Sequence, residues 1–183
     1  MIDEALSYAR VEVRDFLGVQ DTEVMAGNVQ VLKEGNNRGA YLSLINVEEE
    51  TTLKNGDHYI RQNNQVRYKE PPLFVNLYVL CAFDFENYNT SLLRLSQTTE
   101  LFQSKRVFSS ENQRPSNQFP TGLDKLIFDY YNLNFEQLNH LWGVLGSPYL
   151  PSLYYKIRMV KIQRNVTEAA PEISSIHVGT TIQ

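Results

Sequence analysis

A chain of 183 residues with 42% hydrophobic and 21% charged positions can bury one core without disulfide or metal staples, which excludes a disordered or membrane-spanning character. Its net charge of −4 excludes the basic field of a dedicated phosphate-backbone binder. No run approaches the roughly 20 apolar residues of a membrane span. The opening Met1-Ile2-Asp3-Glu4-Ala5 lacks the features of a secretion signal, so synthesis in the cytoplasm is expected.

From Asp3 onward Leu6, Ala9, Val13, Phe16 and Leu17 recur at helical spacing, which predicts a first helix with Asp3 as N-cap and Gly18 as its stop. Glu23 to Leu32 reads as a strand, the Lys33-Glu34-Gly35-Asn36-Asn37 cluster as a turn, and Ala40 to Val47 as a second strand, together a hairpin. The stretch from His58 to Tyr68 reads as another hairpin around Asn63-Asn64, because asparagine tolerates the positive φ of a tight turn. A two-residue loop there places Tyr59 opposite Tyr68 and Arg61 opposite Val66. This polar ribbon is expected to project from the body.

Apolar residues fill both faces of Leu73 to Phe83, the pattern of a central strand. A helix from about Asn89 to Phe102 follows, with Leu92, Leu95, Thr99 and Phe102 on one face. Val107-Phe108 predicts a short edge strand, and the polar stretch from Ser109 to Gly122 a loop suited to ordering on a partner. Leu126 to Tyr131 predicts a strand. Asn134 and Gln137 then make a capping box for a helix from Phe135 to Leu145, with Leu138, Leu141, Trp142 and Leu145 as its buried stripe and Gly146 as its end. Ser152 to Ile162 alternates as a last strand, Leu153, Tyr155, Ile157, Met159 and Lys161 sharing one face.

Beyond Asn165 the pattern fades into a polar segment carrying Ile173, Ile176, Val178 and Ile182. The expected organisation is one domain over residues 1–165 and an extended or flexible tail over 166–183. The order of elements predicts an α+β fold, a mixed or mainly antiparallel sheet with helices packed on it.

Candidate chemistry is sparse. His58, His140 and His177 fall in a ribbon, a helix and a tail, and no metal-ligand spacing joins them. Glu48 and Glu50 share a strand face, but solvated strand-end charges account for them. Cys81 lies within an apolar run and reads as a buried small hydrophobe. Phosphate-loop, dinucleotide and nucleophile-elbow motifs are missing, so no catalytic residue, metal or cofactor is expected. The 11 tyrosines and 9 phenylalanines exceed the needs of a small core and suit protein interfaces. A ligand- or nucleic-acid-binding α+β module is the alternative.

Several segments occur together in one order: Ile2-Asp3-Glu4-Ala5-Leu6, Ile45-Asn46-Val47-Glu48-Glu49-Glu50, the run from Pro71 to Leu80, Phe102-Gln103 with Val107-Phe108, Leu138-Asn139-His140-Leu141-Trp142-Gly143, and Tyr149-Leu150-Pro151-Ser152. From Met1 to about Val166 the chain thereby resembles the N-terminal domain of the cap proteins of extracellular contractile injection systems, the antifeeding-prophage and virulence-cassette class. The resemblance implies a tail-terminator-like fold and a homo-hexameric ring that closes the distal end of the inner tube and sheath of a phage-tail-like particle. It implies no enzymatic role, and longer members of the class continue into a further C-terminal region. Tube and sheath proteins are then the expected partners, with no membrane and no nucleic acid. The expected interface residues are Tyr59, Arg61, Arg67 and Tyr68 in the ribbon and Ile173, Ile176 and Val178 in the tail.

Overall fold

Helix α1 (Ile2–Leu17) begins one residue before the expected cap, because the amide of Ala5 already bonds the Met1 carbonyl at 3.0 Å. Asp3 therefore sits in the first turn, where it accepts from the N-terminal amine at 2.8 Å. Gly18 ends the helix in the left-handed region at φ 62°, a conformation that lacks steric cost only without a Cβ. The buried face holds Ala5, Tyr8, Ala9, Glu12, Val13 and Leu17, while Phe16, expected inside, is 37% exposed. The protein is described from a computed structural model, which covers residues 1–35, 37–51, 59–62, 65–69, 72–162 and 167–169.

The strand expected from Glu23 to Leu32 is broken into three. A 3-10 turn at Asp21–Glu23 carries a Gln20/Glu23 capping box, strand β1 spans only Val24–Ala26, and helix α2 takes Val29–Glu34. Asn28 causes the change: its side chain accepts from the Gln30 amide at 2.9 Å and caps a helix where a strand would have continued. With α2 between them, β1 and β2 (Gly39–Glu49) pair in parallel, so the expected hairpin is a crossover.

Strand β5 (Leu73–Asp84) lies inside a six-stranded sheet of order β1-β2-β5-β8-β7-β6, with β6 at Val107–Phe108, β7 at Leu126–Tyr130 and β8 at Ser152–Ile162. All its pairings except β1 with β2 are antiparallel. On one face Val75, Leu77, Val79, Cys81 and Phe83 meet α1 and α3 (Tyr88–Ser104) in the larger core. Phe102 stacks on Phe128 at 4.3 Å there, and Phe108 meets Phe128 edge-on at 5.3 Å. On the other face Leu80 and Ala82 join Val29, Tyr41, Trp142 and Leu150 in a smaller cluster under α2 and α4 (Phe135–Leu145).

Three expected faces shift. In α3 the buried residues are Ser91, Thr98, Leu101 and Phe102, and Leu92 is 38% exposed. The two buried hydroxyls are satisfied, Ser91 accepting from the Phe85 amide at 3.0 Å and Thr98 donating to the Arg94 carbonyl at 2.8 Å. In β8 two residues, 158 and 159, oppose Asn76 alone of β5, since Ile157 pairs with Leu77 and Val160 with Val75. That bulge turns Val160 and Ile162 into the core in place of the expected Lys161, which lies 3.6 Å from Asp124 instead. In α4 the expected capping box is present, Asn134 accepting from the Gln137 amide at 2.8 Å and Gln137 from the Asn134 amide at 3.0 Å. Only Trp142 of its stripe is fully buried, with Leu138 and Leu145 partly so.

Strands β3 (Tyr59–Gln62) and β4 (Gln65–Lys69) form the expected ribbon, in the expected register of Tyr59 with Tyr68 and Arg61 with Val66. A third strand, β9 (Thr167–Ala169), pairs with β4, where the sequence carries no strand pattern.

The polar loop after β6 is held by the chain itself. Asn117 donates to the Tyr8 carbonyl at 3.2 Å and to Glu12 Oε1 at 2.9 Å, and Phe119 meets Tyr8 edge-on at 5.1 Å. The Glu12 side chain is 1% exposed and faces Arg114 at 3.5 Å and Lys105 at 4.0 Å. Glu12→Ala is expected to cost about 2 kcal/mol, read by urea unfolding, and to make the 109–122 loop protease-sensitive. Lys105 and Arg114 are partly exposed and regain water, which keeps the loss from growing further.

Burial pushes the Cys81 thiol up to about 12, and burial followed by the nearby Asp84 charge pushes the Tyr41 hydroxyl up to about 12. Desolvation likewise raises Tyr8 and Tyr155. Each group stays protonated in the folded chain after its unfolded counterpart has ionised. Between the ordinary values of 9.0 and 10.0 and these raised ones the native state holds more protons, so stability falls as pH rises. The expected result is a melting temperature that declines steadily above pH 9, with Cys81 unreactive toward a thiol reagent at pH 8 until the chain unfolds.

Candidate assembly surface

The bulge in β2, where the register passes from Leu44 opposite Val79 to Asn46 opposite Tyr78, sends Glu48 to the same sheet face as Tyr78. Helix α4 covers only part of that face. Between its inner edge and the strands lies a cleft of about 340 Å³, with Ile45, Asn46, Tyr78, Tyr131, Leu133 and Leu141 among its lining residues. Tyr131 meets Tyr78 edge-on at 5.0 Å and is tied to β8 by its amide, which donates to the Tyr154 carbonyl at 2.8 Å.

Glu48 stands on the rim. The Tyr78 hydroxyl donates to its Oε2 at 2.6 Å, and Lys156 Nζ lies 3.7 Å from the same oxygen and 5.5 Å from the Tyr78 ring centre. The hydrogen bond to Glu48, with burial second, pushes the Tyr78 phenol up to about 12, so its proton stays in place as a donor. Glu50 reaches the same face, where it accepts from Asn76 at 3.0 Å. Deeper in, Tyr154 accepts from Trp142 Nε1 at 3.1 Å and lies 3.0 Å from Ser152 Oγ. An aromatic floor with one carboxylate at its rim suits the docking of a side chain. Phe135 is 90% exposed, Val144 86% and Tyr149 61%, and the nine-residue spacing of Phe135 and Val144 puts them on opposite sides of α4.

Of the residues expected at an interface, Tyr59 and Tyr68 are opposed across the ribbon, whereas Arg61 pairs with Val66 and Arg67 with Ile60, which puts the two arginines on opposite faces of it. Ile173, Ile176 and Val178 lie outside the described residues, as do His58 and His177. His140 is exposed on α4. Among the described residues no group of three His, Cys, Asp or Glu could hold a metal ion, and no helix is long and apolar enough to cross a membrane. The cleft itself was missed, because Tyr78 reads as one of many apolar positions in a central strand and Glu48 as a strand-end charge. The available signal was Val144, a large apolar residue off the buried stripe of α4.

The described residues form an α+β domain built on a six-stranded, mainly antiparallel sheet. Two solved structures carry the same fold: the sheath/tube terminator of the extracellular contractile injection system PVC in its extended state, at TM-score 0.65 and 13% identity, and the tube-terminating cap of the anti-feeding prophage, at TM-score 0.65 and 14% identity. The first likeness covers 100% of this chain and 63% of that one, the second 98% and 61%, so the chain spans less than two thirds of either protein. No curated protein matches the chain. The model of the Pvc16 N-terminal domain matches residues 5–175, and the chain belongs to that family.

Proposed function

We propose that the chain is a structural cap, a tail terminator that closes the distal end of the tube and sheath of a contractile injection particle. The observation that carries this reading is the family match, which spans residues 5–175 of the 183. The two solved proteins of the same fold, a sheath/tube terminator and a tube-terminating cap, support it. In this reading the chain has no catalytic task, assembles in the cytoplasm and becomes part of a phage-tail-like particle. Its subunits form a homo-hexameric ring on the tube end, with tube and sheath proteins as partners. Of the tail over residues 166–183, β9 stays on β4 of its own chain, and the part beyond it acts as an extended segment that adds to a sheet edge of a neighbouring cap or sheath subunit by main-chain hydrogen bonds.

The test is to mix the purified protein with isolated tubes and with sheathed particles and to look for end-bound rings by negative-stain microscopy. Rings confined to the ends are the expected outcome. A protein that ignores tube and sheath ends, or that is instead retained on heparin at moderate salt, sinks the reading.

A further inference from the structure

Charge is unevenly divided along this chain. The nine residues of β3 and β4 hold Arg61, Arg67 and Lys69 and no acid, in a protein of net charge −4. The cleft rim on β2 is acidic, with Glu48 in the run Glu48-Glu49-Glu50. Glu48 is half exposed, is bonded by a neutral phenol and meets Lys156 only at 3.7 Å. A carboxylate so placed has lone pairs left for a guanidinium, which binds in bidentate fashion.

The backbone offers the same match. In the three-stranded sheet β3-β4-β9, β3 is an edge strand whose partner among the described residues is β4 alone. On the outer side of β2 the pairing with β1 stops at Leu42, and among the described residues no strand continues that line beside Leu44 to Glu49. The cleft next to that edge, at about 340 Å³, falls within the roughly 300–1,000 Å³ of side-chain and ligand sites.

We propose that the basic ribbon of one copy docks on the Glu48/Tyr78 cleft of a second copy, with the face that the register gives to Arg67 and Lys69, opposite that of Arg61, turned to the Glu48 rim. Ribbon and cleft are different surfaces of the subunit, so the contact is head-to-tail. Such a contact repeats from copy to copy and closes into a ring, whereas a self-complementary patch stops at a two-fold dimer. The partner is identified by charge: a second copy supplies both the cationic arm and the anionic rim. The proposal rests on the ring reading above and names the surfaces that make it.

Three proteins test it by native mass spectrometry and sedimentation in the absence of tubes: the unaltered chain, Glu48→Lys, and Arg67→Glu with Lys69→Glu. The unaltered chain should form a salt-sensitive oligomer. Each variant alone places like charges together and should weaken association about tenfold or more. Mixing the two variants in equal amounts should restore the oligomer, because the reversed arm then faces the reversed rim while the native arm faces the native rim. Melting temperatures serve as the folding control; should a reversal unfold the chain, Glu48→Gln and Arg67→Gln with Lys69→Gln repeat the test with smaller losses expected.

A monomeric unaltered chain, an oligomer indifferent to both variants, or a loss that mixing does not rescue overturns the proposal. An oligomer that survives both variants but is lost on deleting residues 170–183 assigns the contact to the tail and overturns it too. Tube binding is scored separately. A chain that oligomerises through these surfaces yet ignores tube and sheath ends keeps this contact and sinks the cap reading, and the opposite result does the reverse.

Discussion

Trp142→Ala is expected to lower stability by about 3–5 kcal/mol, measured by urea unfolding followed by circular dichroism, since Trp142 is the only tryptophan. The indole is 6% exposed and lies in the smaller cluster with Val29, Tyr41, Leu80, Ala82 and Leu150. Its Nε1 donates to Tyr154 at 3.1 Å, and Tyr149 covers its edge at 5.7 Å. No other residue of α4 is fully buried, and Leu138 and Leu145 are only partly so, which makes Trp142 the main anchor of the helix. Hydrogen exchange across 135–145 should therefore rise more than elsewhere in the variant. Trp142→Phe keeps most of the packing and removes the donor to Tyr154, whose contact with Ser152 Oγ remains. Its expected cost is about 1 kcal/mol beyond the small loss of volume. A loss below about 1 kcal/mol for the alanine variant would mean that α4 is held by something other than Trp142.

Gly39→Ala should be the most damaging conservative change in the chain. Gly39 opens β2 at φ 145°, a conformation that L side chains rarely adopt, and a Cβ built there falls 2.1 Å from the carbonyl oxygen of Glu23. That oxygen belongs to the turn leading into β1, so relief requires the backbone itself to move and the parallel β1–β2 pairing to shift. The expected cost is about 3 kcal/mol or more, from backbone strain and a disrupted sheet edge together. Gly143→Ala is the control. Gly143 is exposed within α4, an added Cβ meets nothing within 4 Å, and helix propensity should raise stability by about 1 kcal/mol. If both substitutions cost the same, the close approach at Gly39 is not what constrains that position.

The elements whose signals are local were legible in the chain. Gly18 and Gly146 stop helices because only the left-handed conformation satisfies the last carbonyls. Asn134 with Gln137 caps α4 by bonds made within four residues. The ribbon register follows from a two-residue connection between β3 and β4. Two-sided burial of β5 was equally clear, since a strand apolar on both faces has nowhere to go but the middle of a sheet. The ordered set of segments that resembles the cap class also pointed to the family that the match over residues 5–175 now shows.

What the sequence by itself determined, then, was the set of strands and helices with strong local periodicity, their caps, the α+β class and the family. Tertiary structure alone decided which side of each element faces in. Bulges in β2 and β8 are consequences of fitting twisted strands together, and each moves every later residue to the opposite face, which is why Val160 and Ile162 line the core. Short β1 is a strand only because β2 lies beside it, and Glu12 tolerates burial only because Asn117, Arg114 and Lys105 arrive from over 90 residues away. The cleft beneath Glu48 has the same origin: its floor comes from β2, β5, β8, α4 and the residues after β7, and no spacing along the chain encodes a surface assembled from five distant segments.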